Sequence, residues 1–104
     1  MRLAPLSLVL ITMLSTQVEA GVRNFFAPLL DGARVDACLS SGPCGKPAAD
    51  AFCKIEGYDK AMIFQRENVA APRKLDSGEA CEGSSCTAFK QVKCFSTKDN
   101  LAGL

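Results

Sequence analysis

The chain has 104 residues, six of them Cys, with neither His nor Trp and a formal charge of +1. Residues 1–20 read as a targeting segment, and the charge stays at +1 without them because Arg2 and Glu19 cancel. What remains is one domain, too evenly charged to carry an electrostatic footprint for nucleic acid or an anionic membrane.

Arg2 supplies a positive start, residues 3–14 are largely apolar, and Val18-Glu19-Ala20 approximates a small-x-small cleavage pattern before Gly21. That order is a secretory signal peptide, and the apolar run falls short of the roughly 20 residues a membrane span needs. The expected location is therefore extracytoplasmic, extracellular or periplasmic, with no stable membrane insertion after signal removal. Such compartments are oxidising.

Residues 21–33 form an N-terminal apolar segment. Val22, Phe25, Phe26 and Leu29 recur at helical spacing, and Pro28 limits any helix to a turn or two. Two readings stand: these side chains cover one end of a small core, or they form an exposed apolar lip that docks a partner or a membrane surface. Residues 34–40 alternate as a strand does, with Val35, Ala37 and Leu39 on one face. A Ser-Ser-Gly-Pro break follows. The clearest helix starts at Pro47 and stops at Gly57, with Ala48, Ala51, Phe52 and Ile55 on its apolar face and Cys53 to the flank. Residues 60–65 read as a strand apolar on both faces, and 67–73 as a loop. Lys74 and Leu75 read as the start of a short strand before the Asp76-Ser77-Gly78 turn. Residues 87–95 are the last strand, with Ala88, Val92 and Cys94 on one face. Their alternation is imperfect: Lys90 shares that face, while Phe89 and Phe95 take the other. Residues 96–104 form a tail with few anchors.

All six cysteines, Cys38, Cys44, Cys53, Cys81, Cys86 and Cys94, lie within residues 34–95, about one residue in ten. Structural zinc usually needs closely paired cysteines, often with His, and a redox site needs C-x-x-C; neither pattern is present. Three structural disulfides are the expectation. Six cysteines permit 15 pairings, among which sequence does not choose. Proximity around Gly83-Ser84-Ser85 favours Cys81–Cys86. Of the three pairings left, Cys44–Cys53 and Cys38–Cys94 are preferred, tying loop to helix and strand to strand.

Without imidazole, Ser-His-Asp and Cys-His catalysis lack their base. Calcium, phosphate and dinucleotide loops are absent from the sequence, so no cofactor or metal is expected. Carboxylates could in principle run hydrolysis, but Asp36, Asp50, Glu56, Asp59, Glu67, Asp76, Glu79 and Glu82 offer no favoured pair. A protease inhibitor needs a rigid exposed loop; residues 40–46, ending at Lys46, are one candidate, and 67–74 another.

The run from Cys44 through Gly45, Lys46, Pro47, Ala48, Ala49, Asp50, Ala51 and Phe52 to Cys53, then Gly57-Tyr58 and Ala61, with Gly78, Cys81, Cys86, Phe89 and Cys94 later, resembles a family of small secreted six-cysteine proteins. The resemblance covers residues 34–95. It implies a cysteine-rich secreted fold and carries no activity or functional residues with it.

The expected fold is thus α+β: a small disulfide-rich domain at residues 34–95, with one helix packed on a sheet of three or four mainly antiparallel strands. The expected function is a secreted binding module whose partner is an unknown extracellular protein or polymer, not nucleic acid. A protease inhibitor or toxin-like effector is the first alternative, and a small carboxylate-based hydrolase the second. Lys46, Phe25 and Phe26 are the candidate partner-binding residues.

Overall fold

A computed structural model describes residues 21–97. The elements, in chain order, are β1 (Gly21–Phe26), β2 (Leu29–Leu30), β3 (Ala33–Arg34), α1 (Lys46–Ile55), β4 (Lys60–Asn68) and β5 (Thr87–Ser96). β5 is the central strand of an antiparallel sheet ordered β1-β5-β4, and β2 and β3 make a separate small hairpin. One helix lies on a mainly antiparallel sheet, the α+β arrangement expected. The signal-peptide reading of residues 1–20 lies outside the described residues, as do residues 98–104.

The N-terminal segment departs from its helical reading. Gly21–Phe26 is a strand, paired with β5 from Gly21↔Ser96 to Phe26↔Gln91. Pairing with a long central strand satisfies backbone groups that an isolated turn or two of helix would leave to water. Asp31 and Gly32, with φ of 55° and 83°, then form the two-residue connection between β2 and β3. The domain accordingly takes in residues 21–33 as well as those from 34 onward. It runs past 95, because Ser96 pairs in β5 and the Thr97 N–H and hydroxyl both donate to Asp59.

Residues 34–40 are not one continuous strand. Isolated bridges join Val35 to Arg73 and Asp36 to Ala88, and the Ala37 N–H donates to the Thr87 carbonyl at 3.0 Å. This stretch extends the β1 side of β5 where β1 ends. Lys74 and Leu75 likewise form no strand; the only ladder contacts of that loop are at Arg73.

Gly45 starts the helix with φ 80° and ψ −122°, a conformation in which a side chain is strained. An added Cβ there would also meet the Phe64 ring at 3.3 Å. The helix ends in a Schellman motif: the Gly57 N–H donates to the Lys54 carbonyl and the Tyr58 N–H to the Cys53 carbonyl. The buried stripe is Ala48, Ala49, Phe52 and Cys53, whereas Ile55 is exposed. The inner face is thus rotated from the one expected, because Cys53 is bonded to Cys94 on the central strand.

The other bridges are Cys38–Cys44 and Cys81–Cys86. The expected Cys44–Cys53 and Cys38–Cys94 pairs are therefore corrected. The helix opposes the first: Lys46 to Cys53 alone spans about 10 Å of helix, so Cys44, two residues ahead of its start, would have to fold back along it, and it is bonded to Cys38 instead. Register forbids the second. Asp36 bridges Ala88 antiparallel, so Cys38 lies level with Cys86, some eight strand residues or about 27 Å from Cys94.

The core lies between α1 and the sheet, with Val35, Ala37, Ala48, Ala49, Phe52, Cys53, Ala61, Phe89, Val92 and Cys94 buried in one cluster. Phe25 meets Phe52 edge-on at 5.1 Å and Phe64 meets Phe89 at 5.8 Å. Most of these side chains are small, so the core offers modest burial for a domain of this size.

Candidate binding face

Helix α1 covers only one face of the sheet. Strand register defines the other. Val22, Phe95 and Lys60 form one cross-strand row, and Asn24, Lys93 and Ile63 the next. Phe26, Gln91 and Gln65 form the third. Contacts agree with this placement: the Lys60 ammonium sits 5.9 Å from the Phe95 ring centre, and the Gln91 amide donates to Asn24 at 2.8 Å.

Two bulges shape the face. One makes Met62 an extra residue between Ala61 and Ile63; the other leaves Lys90 without a partner on β4, since Gln65 pairs Gln91 but Arg66 pairs Phe89. The second bulge reverses the alternation of β5. It turns Phe89 into the core with Val92 and Cys94, and leaves Gln91, Lys93 and Phe95 on the open side. Large apolar side chains stand in solvent there. Phe26 is 71% exposed, and Val22, Met62 and Ile63 are each about half exposed.

The three candidate binding residues do not come together. Phe26 is on the open face. Phe25, its neighbour, points the other way and packs against Phe52 and Tyr58, with the Arg23 guanidinium over its ring. The core-covering and lip readings of this segment thus each describe one of two adjacent phenylalanines. Lys46 is not in an extended loop: it opens α1, and its ammonium binds Asp50 at 2.9 and 3.0 Å and the Ala61 carbonyl at 3.4 Å. An inhibitor loop must offer an extended, unengaged side chain to a protease cleft. Lys46 does neither. Lys60, Ile63, Lys93 and Phe95 were not among the candidates; their signal was the irregular alternation around Lys90.

Five of the eight carboxylates considered for hydrolysis hold structural positions. Asp36 is buried, accepts from the Cys38 N–H at 2.7 Å and pairs with Lys74 at 3.3 Å. Arg34 holds Glu67 at 2.6 Å, and Asp59 caps Thr97. Burial opposes ionisation of Asp50, but the Ala61 N–H and the Lys46 ammonium outweigh it and hold its carboxyl below the ordinary range. The Ser40 N–H does the same for Asp76. A general acid needs the opposite shift. Asp50 joins the helix to β4 and Asp76 joins two loops, which is a sufficient role for each.

A cleft of about 280 Å³ opens between the β2–β3 turn and residues 73–78, lined by Leu30, Asp31, Arg73, Lys74 and Leu75. Its cations are occupied, Lys74 with Asp36 and Arg73 with the Gly78 carbonyl at 3.3 Å. Among the described residues no cluster of three or more Cys, Asp or Glu is placed to hold a metal ion, and no helix is long and apolar enough to cross a membrane. Compared with known proteins, the chain matches no family model, and no curated protein or solved structure is similar to it.

Proposed function

We propose that the protein is exported and acts as a disulfide-stabilised binding module whose ligand seats on the open face of the β1-β5-β4 sheet. One observation carries this reading: a face with Phe26 71% exposed and Val22, Met62 and Ile63 about half exposed is left without a covering layer among the described residues. Several large apolar side chains exposed on one sheet face, interleaved with polar ones, support an interaction surface. Export is supported by the apolar segment ahead of Gly21 and by three intramolecular bridges that use every cysteine. Carboxylates engaged in structural contacts, as Asp36, Asp50, Glu67 and Asp76 are, favour binding over hydrolysis.

The test has two parts. Protein recovered from outside the producing cell should begin at Gly21 and carry no reactive thiol. Its fraction co-sedimenting with envelope fragments should fall sharply in a Phe26→Ser/Ile63→Ser variant whose melting is unchanged. Equal retention of variant and wild type would remove the face from the reading. Chemical turnover of the captured ligand would replace binding with catalysis.

A further inference from the structure

We infer that the open face seats on an anionic lipid bilayer surface, bound peripherally and reversibly. This rests on the reading of that face as the binding surface and adds the class of ligand.

The chain as a whole is almost neutral, but its charges are partitioned. The open face carries Lys60 and Lys93, and the exposed Lys90 stands at the bulge beside them. Among the described residues, Glu67 and Asp36 share the far row through Ala88 and are paired with Arg34 and Lys74, Asp59 beside Lys60 accepts from Thr97, and Asp50 is paired with Lys46 on the helix. Three lysines against Asp59, with Glu67 and Asp36 paired to cations, leave the potential over the face positive, although the formal charge of the chain is only +1.

The apolar side chains decide which anionic ligand fits. A soluble acidic polymer is recognised by cations and amides, and gains little from aliphatic tips. Val22, Met62 and Ile63 are aliphatic tips, and Phe26 is the most exposed large hydrophobic side chain of all. In a bilayer interface such side chains enter the boundary between headgroup and acyl chain, while lysines stay at the level of the phosphates. Three antiparallel strands present these groups on a broad face, which suits an extended surface. The lysine on Phe95 and the one between Asn24 and Ile63 flank the apolar tips rather than forming a separate patch.

The experiment is co-sedimentation of the oxidised, exported protein with phosphatidylglycerol vesicles, phosphatidylcholine vesicles and, separately, retention on immobilised heparin. Binding to phosphatidylglycerol that weakens with salt, with little binding to phosphatidylcholine, is the expected result. Lys60→Gln and Lys93→Gln should each weaken it about fivefold. Phe26→Ser should weaken it about tenfold, whereas Lys54→Gln, on the exposed side of α1, should leave it unchanged. All four positions are solvent-facing, and unchanged melting confirms that each variant is folded. Failure to bind phosphatidylglycerol, equal binding to both lipids, or insensitivity to the two lysine changes would overturn the inference. Retention on heparin without vesicle binding would also overturn it, by assigning the face to a soluble polymer. If vesicles fail while envelope co-sedimentation still depends on Phe26 and Ile63, the ligand class is wrong and the binding face stands.

Discussion

Removing the Cys53–Cys94 bridge should cost more stability than removing either of the others. The three bridges close segments of very different length: Cys53 and Cys94 are 41 residues apart, Cys38 and Cys44 six, and Cys81 and Cys86 five. In the chain-entropy account, a loop of that greater length restricts the unfolded ensemble by about 4 kcal/mol, and each short one by about 2 kcal/mol. The long bridge is also the only one that joins the two layers, from the inner face of α1 to the central strand. Both its cysteines are fully buried, so paired replacement by Ala also leaves unfilled space, and 4 kcal/mol is a lower figure. A domain of this size holds a total of roughly 4–12 kcal/mol. At about 4–8 °C per kcal/mol, the Cys53→Ala/Cys94→Ala variant should melt about 15–30 °C below wild type, and Cys81→Ala/Cys86→Ala about 8–16 °C below. Thermal melts followed by circular dichroism under oxidising conditions compare the three double variants directly. If the long bridge costs no more than Cys81–Cys86, its role as the staple between layers is refuted.

Three other expectations follow from named contacts. Asp50→Asn should cost about 1 kcal/mol at neutral pH in urea titrations, since the carboxylate is partly screened by water. Its lowered folded pKa means that this contribution is present above the unfolded value near 3.8 and is lost as pH falls through the folded one, so wild type and variant should converge in acid. Lys74→Met leaves the buried Asp36 carboxylate with only the Cys38 N–H and should cost about 3 kcal/mol, most of it recovered in Asp36→Asn/Lys74→Met; chemical denaturation of the cycle measures the coupling. Gly45→Ala should cost about 2 kcal/mol in thermal melts from backbone strain alone, with the Phe64 ring forced to move as well.

The helix and its stop were legible because they depend on local signals, Pro47 near the start and Gly57 at the end. The sheet was less so, because register is a long-range property. The imperfect alternation around Lys90 is the mark of a bulge: deleting that one residue from the count puts Phe89, Val92 and Cys94 on one side and Gln91, Lys93 and Phe95 on the other. Asp31-Gly32 is a two-residue hairpin signal that stood in plain view, masked by the helical spacing of Val22, Phe25, Phe26 and Leu29. The Cys44–Cys53 pairing sat poorly with the helix read from Pro47 onward, which carries Cys53 about two turns away from the loop that holds Cys44. Cys53–Cys94 could not be read, because it depends on which face of the sheet receives α1. The binding face was hidden for the same reason: its rows are assembled from β1, β4 and β5, which are distant in sequence.

One helix cannot cover both faces of a sheet, so some face of this domain must meet water. The composition of that face is what needs a cause. The core is built largely from Ala37, Ala48, Ala49, Ala61 and Ala88, with only Phe52 and Phe89 as large, fully buried apolar side chains. Larger residues were available to the chain, yet Phe26, Val22, Met62 and Ile63 stand in solvent. Cross-links make this distribution tolerable, because they lower the entropy of the unfolded chain without needing apolar volume in the core. Folding therefore does not explain the four exposed side chains, and polar replacements at Phe26 and Ile63 should shift the melting temperature by no more than a few degrees. A large loss of stability in those variants would mean that the face serves the fold, and the proposed ligand seat would lose its basis.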